Sequence, residues 1–419
     1  MPLRSLLPQS PLRQGRPFAA RLPAAVSGAA IVALALTGCV ANNPGGSDAL
    51  SVAITDDTCA VSADTSTAGA VTFELNNTGS DVNEFEILAD DKLRIVGEKE
   101  NVTPGQVISY VAHLEPGTYY TACKFQQAGS PIGLAEFTVT GEAEALTGDQ
   151  QARLDEAVDN YLSYITSQVD ELVPAAAALA EAYRSGDDET ARSLFASTRV
   201  FYERIEPTAE AFGDLDPKID YREVDAVAED LEWTGFHRIE KDLWAPQPGD
   251  LNSDGTDAFL DWAPSTPDER AGYAQGLVDS VQELHDLVNA PDFSVTLSAI
   301  SNGAIALLDE VAAGKITGEE DWWSHTDLYD FAANVQGAEV AFGTVKSIAS
   351  ATGDEGAALV AEIQTEFDEL EAALAQYGTL ESGFVSYDEV TDAQRKVLSD
   401  QVNALSEPLS KLTSTVLGA

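Results

Sequence analysis

The feature that most limits the fold of this chain is a change of hydrophobic period near residue 148. Before it, apolar residues alternate with polar ones, the pattern of half-buried strands. Leu50-Ser51-Val52-Ala53-Ile54 alternates, as does Ala70-Val71-Thr72-Phe73-Glu74-Leu75, which runs into the turn Asn76-Asn77-Thr78-Gly79. Glu84-Phe85-Glu86-Ile87-Leu88 alternates again, and further strands are expected at 107–111, 117–124 and 134–139. About seven short strands with Gly, Pro and Asn turns predict a β-sandwich over residues 49–140. Residues 141–148 form a short acidic linker. Beyond it Leu154, Val158, Leu162, Ile165, Val169 and Leu172 fall at helical spacing. Helical patterns follow at about 150–184, 189–212, 222–244, 267–289, 294–313, 326–349, 355–376 and 391–416, with Gly, Asp and Pro at the breaks. The fold class is therefore multi-domain, β then all-α. A small β-sandwich precedes a helical domain over 149–419, built as one bundle or as two side by side.

The N-terminus carries an address. Arg4, Arg13, Arg16 and Arg21 precede the apolar run Ala29-Ala30-Ile31-Val32-Ala33-Leu34-Ala35-Leu36, and Leu36-Thr37-Gly38-Cys39 follows. A charged region, a short apolar region and small residues before a cysteine describe a bacterial lipoprotein signal over residues 1–38. Cleavage before Cys39 would leave a lipidated cysteine as the first mature residue. The alternative is an ordinary secretory signal with an incidental cysteine. The apolar run is too short to span a bilayer. Residues 39–48, rich in Asn, Pro, Gly and Ser, read as a tether. Both readings put the mature protein outside the cytoplasm, and the first holds it to a membrane by its acyl chains.

Charge excludes some partners. The chain has 70 acidic against 23 basic residues, a net charge of -47. Removing four arginines with the signal takes this to -51. Such a surface repels nucleic-acid backbones and anionic lipid heads, so membrane attachment needs the lipid. It suits a cation-binding protein, although general solvation or adaptation to high salt produces the same excess. With three cysteines and four histidines (His113, His237, His285, His325), a metal site must be built mainly from carboxylates.

The densest chemistry lies in Trp233-Thr234-Gly235-Phe236-His237-Arg238-Ile239-Glu240-Lys241-Asp242-Leu243-Trp244. His237 and Glu240 are three apart and share a helical face, the spacing by which carboxylate-rich bundles hold metal. In Tyr202-Glu203-Arg204-Ile205-Glu206-Pro207 a second pair, Glu203 and Glu206, has the same spacing. Two such helices facing each other would bring three carboxylates and one imidazole to one cation. The plainer readings are a solvated acidic face and a structural histidine. The apolar flanks of His237, and Gly235 beside it, favour a buried site with close backbone approach.

These two segments, with Ser324-His325-Thr326-Asp327-Leu328-Tyr329-Asp330-Phe331, resemble the imelysin-like family, in particular EfeO-type iron-uptake lipoproteins. The resemblance covers essentially the whole mature chain. It implies a cupredoxin-like domain followed by an imelysin-like domain, and an iron-binding (Fe2+/Fe3+) component with no enzymatic role. The implied partners are a high-affinity iron permease and a secreted haem peroxidase of the dye-decolourising type. The family's His-x-x-Glu falls on His237 and Glu240, and its neighbouring acids on Glu203, Glu206, Asp220 and Glu310. Cys59, Glu84 and Cys123 match the positions where the family's degenerate cupredoxin domain is thought to bind copper or iron. A Cys59–Cys123 disulfide is the competing reading and is favoured here: the compartment oxidises thiols and no histidine accompanies them.

Two other chemistries meet obstacles in the residues. Imelysin-like proteins have also been classed as metallopeptidases, but a zincin needs His-Glu-x-x-His. Here Arg238 stands in the slot of the catalytic Glu and Lys241 in that of the second His, so a fixed cation replaces the base. A blue-copper site uses two His, one Cys and usually a Met. The first domain has one His, His113, and no Met. A third class remains, an adhesion or polysaccharide-binding protein with a structural cation. Trp322 and Trp323 would stack on its sugar rings, or else close a core.

Overall fold

The computed structural model describes residues 49–92, 94–126, 131–141, 148–260 and 262–418. Cys39, the signal, the tether and most of the acidic linker lie outside the described residues.

Among the described residues, nine strands build the first domain in two sheets. One sheet has the order β2 (Cys59–Val61), β1 (Leu50–Ile54), β4 (Gly69–Asn77), β7 (Val107–Leu114). The other has the order β3 (Thr65–Thr67), β9 (Ile132–Thr140), β8 (Gly117–Phe125), β5 (Asn83–Leu88), β6 (Ile95–Val102). Pairing is antiparallel except for β1 with β4 and β3 with β9. The alternation seen in the sequence is the packing rule: Val52, Ile54, Val71, Phe73, Leu75, Phe85 and Ile87 are buried between the sheets. Phe73 sits at the centre, its ring 5.2 Å from Phe85 and 5.8 Å from Phe137. Strand β6 breaks the pattern with Glu98, Lys99 and Glu100, which face the second domain, while Val96 and Val102 stay with the sandwich core.

The second domain is helical from α1 (Gly148–Ser185) to α11 (Leu412–Leu417). Along α1, the apolar stripe buries Ile165, Val169 and Leu172 fully, while Leu154, Val158 and Leu162 flank the core. α1 packs against α2 (Asp188–Glu203) and α6 (Pro267–Val288), while α7 (Leu297–Ala313), α9 (Asp354–Leu374) and α10 (Asp392–Leu409) form a second group. Helix α8 (Asp327–Ser350) touches members of both groups, which is why it is buried nearly all round. No helix among the described residues is long and apolar enough to cross a membrane.

Two expected helices are interrupted, and both breaks fall at the acidic centre. The helix expected over 189–212 ends at Glu203 and resumes as a 3-10 turn, Glu206–Phe212, with Pro207 near its start. The helix expected over 222–244 divides into α4 (Glu223–Ala228) and α5 (Gly235–Leu243); between the breaks lies the short α3 (Leu215–Asp220). Gly235 opens α5 at φ +80°, and a Cβ there would stand 2.1 Å from the Ile219 carbonyl oxygen, so only glycine brings α5 this close to α3. A third departure is smaller: the pattern over 391–416 is broken after Leu409.

The domains meet along α7. Asn302 Nδ2 donates to the Val111 carbonyl at 2.9 Å, the His113 N–H donates to Ser298 Oγ at 3.0 Å, and Lys99 pairs with Asp309. Between them lies a cavity of about 440 Å3 lined by Glu84, Glu98 and Glu100 on one side and Glu206, Glu210, Glu310 and Glu320 on the other.

Candidate metal centre

Helix α5 supplies the central pair. His237 and Glu240 are one turn apart, and both are buried. His237 Nδ1 lies 3.0 Å from Glu240 Oε2, a contact in which the ring nitrogen donates to the carboxylate. The other oxygen, Glu240 Oε1, accepts the backbone N–H groups of Trp323 at 3.0 Å and Ser324 at 2.8 Å. Glu240 thereby fixes the ring plane and leaves His237 Nε2 facing outward. Nε2 has no hydrogen-bond partner; its nearest neighbours are Glu320 Oε1 at 3.5 Å and Asp220 Oδ1 at 3.6 Å. Two ligand atoms held about 2.1 Å from one ion at tetrahedral angles are about 3.4 Å apart, so this spacing is that of a coordination shell. Asp220 and Glu320 also line the acidic cavity. A second group, His237, Glu240 and Asp321, closes on the Nδ1 side of the same ring. Among the described residues these are the two clusters of three or more ligand-type side chains able to hold one ion.

Two fixed cations stand inside the cluster. The Arg199 guanidinium, fully buried on α2, reaches Glu203, Asp220, Glu320, Asp321 and Asp330. Lys315 Nζ donates to Glu206 Oε1 at 2.5 Å and lies 3.5 to 4.0 Å from Glu203, Glu320 and Glu310. Eight carboxylates (203, 206, 220, 240, 310, 320, 321 and 330) thus surround two cations and one imidazole. Burying unmatched charge costs several kcal/mol per ion, so the excess negative charge calls for further cations or protons.

The titration of these groups shows that demand. Burial pushes Asp220 up to about 7 against the pull of Arg199, and Asp321 up to about 6. Burial pushes Glu310 up to about 8, and Glu206 well above its usual value with the Glu203 charge adding to the effect. Glu203 and Glu320 go the other way: burial would raise them, but Arg199 and Lys315 lower Glu203, and Lys315 and His237 lower Glu320. For His237, burial and Arg199 disfavour the imidazolium, yet Glu240, Glu320 and Asp220 outweigh them and lift it to about 10. A proton holds the ring in the absence of any other cation.

The structure places the expected residues unevenly. His237 meets Asp220, with Glu320, on its Nε2 side and Glu240, with Asp321, on its Nδ1 side. Glu203 and Glu206 adjoin it, but the Asn334 amide bridges them at 2.9 and 2.6 Å and Lys315 stands on both. Glu310 lies at the cavity edge, 4.0 Å from Lys315. Cys59 and Cys123 are joined in a disulfide inside the sandwich core, so their thiolates are not available to copper or iron. Strand alternation separates Glu84 from them: its neighbour Phe85 pairs with Cys123 in the core, while Glu84 lines the interdomain cavity beside Lys124. The sequence reading missed Glu320, Asp321, Arg199 and Lys315. The signal for two of them was Glu319-Glu320-Asp321 immediately before Trp322, in a turn that no periodicity could orient. Arg238, in the zincin-base slot, pairs with Asp242 at 3.0 Å and donates to Ser265 Oγ at 2.7 Å.

Comparison with known proteins agrees with this layout. The imelysin model (peptidase M75) matches residues 157–412, and the cupredoxin-like domain model matches residues 28–132. A protein of Escherichia coli O1:K1 named "Iron uptake system component EfeO" is 37% identical over 371 residues, 88% of this chain and 91% of that protein. Proteins of the same name from Escherichia coli K12 and Shigella flexneri are 36% identical over the same shares. With a cupredoxin-like sandwich joined to an imelysin helical domain, and relatives that span nearly its full length, this chain belongs to the imelysin family in its EfeO type.

Proposed function

We propose that this chain captures iron outside the cytoplasm and delivers it to a membrane permease. The observation that carries the reading is the unpartnered, buried Nε2 of His237, held between Asp220 and Glu320 at coordination spacing on the wall of an acidic cavity. Those three side chains are the ligands in this reading, and Glu240 positions the imidazole. Oxygen-rich ligation suits Fe(III), and the imidazole keeps Fe(II) competent. The glutamates of the cavity draw cations inward and concentrate them. Glu203, Glu206 and Glu310 belong to that acidic surround, balanced by Lys315 until a metal arrives. The name shared by the relatives, iron uptake system component, supports iron as the cargo. The family's peptidase label is not followed, because Arg238 occupies the slot of a zincin's catalytic Glu, and Glu240 is engaged by His237 and two backbone N–H groups. A permease and a haem peroxidase of the dye-decolourising type complete the system, with the chain tethered to the membrane through lipid on Cys39. The disulfide supports an oxidising, extracytoplasmic location.

The test is titration of the metal-free mature chain with Fe(II) under anaerobic conditions and with Fe(III), beside His237→Ala with helicity checked by circular dichroism. The reading expects one tight iron per chain, lost in the variant while the fold persists. Unchanged tight binding in His237→Ala places the site elsewhere and ends it. Cu(II) binding more tightly than iron in vitro is the ordinary affinity order and does not bear on the cargo. For the anchor, Cys39→Ser should release the protein from membranes or leave an unprocessed precursor.

A further inference from the structure

A larger cavity, of about 920 Å3, lies on the other side of the segment that carries Glu320 and Asp321. Nothing in the iron reading uses it. It is walled by four of the chain's five tryptophans, Trp244, Trp262, Trp322 and Trp323. Its volume is in the range of small-molecule sites, which are typically aromatic with a few placed polar groups.

The polar groups here include two arginines without a carboxylate partner. Four aspartates reach the wall, and each is already engaged: Asp188 by Arg270, Asp242 by Arg238 and Tyr183, Asp250 by the Gln247 N–H, Asp388 by His325. Arg192 and Arg395 are different. Among the described residues neither has a carboxylate within ion-pair distance; Arg192 donates to the Leu243 carbonyl at 2.8 Å, and Arg395 to the carbonyls of Thr317, Tyr387 and Val390 at 3.1 Å each. The indole Nε1–H of Trp262 is shielded from solvent and has no acceptor. A buried donor left unpaired costs about 1–3 kcal/mol, and an incoming acceptor recovers it.

We infer that this cavity is a binding site for a small planar aromatic carboxylate, its ring stacked on the tryptophans and its carboxylate taken by Arg192, Arg395 and Trp262 Nε1. Flat π-faces select a planar ring, and guanidinium forks select a carboxylate. A neutral sugar fits the wall less well. A sugar gains nothing from two guanidinium charges that a carboxylate would neutralise. The site adjoins the metal centre through the backbone: Trp323 and Ser324 donate to Glu240, so an occupant against Trp322 and Trp323 rests on the turn that holds Glu240. The inference itself does not depend on iron.

The probe is 4-hydroxybenzoate, which cannot chelate a metal, added to the metal-free mature protein and followed by calorimetry and by quenching of tryptophan fluorescence. Saturable one-to-one binding is expected, with at least tenfold weaker binding of the neutral 4-hydroxybenzamide. Arg192→Gln, at the exposed rim and therefore safe for folding, should weaken binding about tenfold, Arg395→Lys severalfold, and Trp262→Phe severalfold. His237→Ala should bind the probe as the parent does, which separates this site from the iron site. No saturable binding, equal binding of the amide, or binding indifferent to both arginine changes would overturn the proposal.

Discussion

His237 Nδ1 and Glu240 Oε2 stand 3.0 Å apart on one turn of α5, and this contact directs the opposite nitrogen of the ring between Asp220 and Glu320. Glu240 is thereby a positioning carboxylate whose two oxygens are both engaged before any ion arrives. Glu240→Gln should keep the fold but let the ring choose its tautomer freely. We expect Fe(II) affinity to fall by about 10- to 100-fold, the range for changes beyond the direct ligands. An affinity equal to the parent's would show that the contact does not orient the ring.

Proton release should accompany iron binding. His237, lifted to about 10, and Asp220, lifted to about 7, both carry protons at pH 6 that a metal must displace. Each released proton steepens affinity by roughly tenfold per pH unit below the pKa concerned. At pH 6 the slope should approach two protons, falling to about one between pH 7.5 and 8.5. Calorimetry in buffers of different ionisation enthalpy counts them; no proton release at pH 6 would contradict this account.

The same groups set the stability of the metal-free protein. A group whose pKa is raised on folding stabilises below its unfolded value and loses that contribution as pH rises through its folded value. Asp321 at about 6, Asp220 at about 7, Glu100 at about 7, Glu210 and Glu310 at about 8 and His237 at about 10 all act in this sense. The lowered carboxyls Glu203 and Glu320 act oppositely, but below pH 4.5, outside this window. The melting temperature of metal-free protein should therefore fall from pH 6 to 9, and bound iron should flatten the fall. Thermal scans with and without Fe(II) test it; a metal-free melting temperature that climbs across this range would refute the sign.

Lys315 acts as a resident counter-ion for Glu203, Glu206, Glu310 and Glu320. Lys315→Met should destabilise the metal-free protein by about 3–5 kcal/mol, the cost of stranding one side of a buried ion pair. The freed carboxylates should then take a second divalent cation, raising stoichiometry from one to two and recovering the lost stability. A variant that is destabilised but still binds a single ion would mean that these acids cannot act as ligands.

Gly235→Ala should cost at least about 1–3 kcal/mol, since the position combines φ +80° with a Cβ 2.1 Å from the Ile219 carbonyl oxygen. Because α5 begins there, the displacement reaches His237, and iron affinity should fall with stability. Full retention of both would show that α3 and α5 can separate at no cost.

The Cys59–Cys123 bridge closes a span of 64 residues, and on the chain-entropy model stabilises the sandwich by about 4 kcal/mol. The double change Cys59→Ala, Cys123→Ala should unfold the first domain at lower denaturant while the helical domain keeps its melting. A free-thiol assay should find no reactive cysteine in the native mature protein apart from a non-lipidated Cys39.

The linear pattern of the chain determined the elements that put apolar residues on one face. Alternation gave β1, β4, β5, β7, β8 and β9, and the helical stripe gave α1, because each buries residues that are neighbours at a fixed period. The His237–Glu240 pair was legible for the same reason, being local to one helical turn. What escaped was set by contacts distant in sequence. Strand β6 is polar at its centre because Glu98, Lys99 and Glu100 face a second domain, so no alternation marks it. Helix α2 stops at Glu203, and the chain up to α5 is broken, so that Asp220 of α3, Glu240 of α5 and the Glu320–Asp321 turn can converge on one ring. Glu320 and Asp321 lie in a turn, where spacing says nothing about direction. No motif or spacing marks Arg199 and Lys315, yet among the described residues they are deeply buried, multiply paired cations. Only the tertiary structure could decide this, because the charge that holds them inside comes from carboxylates up to 131 residues away in the chain.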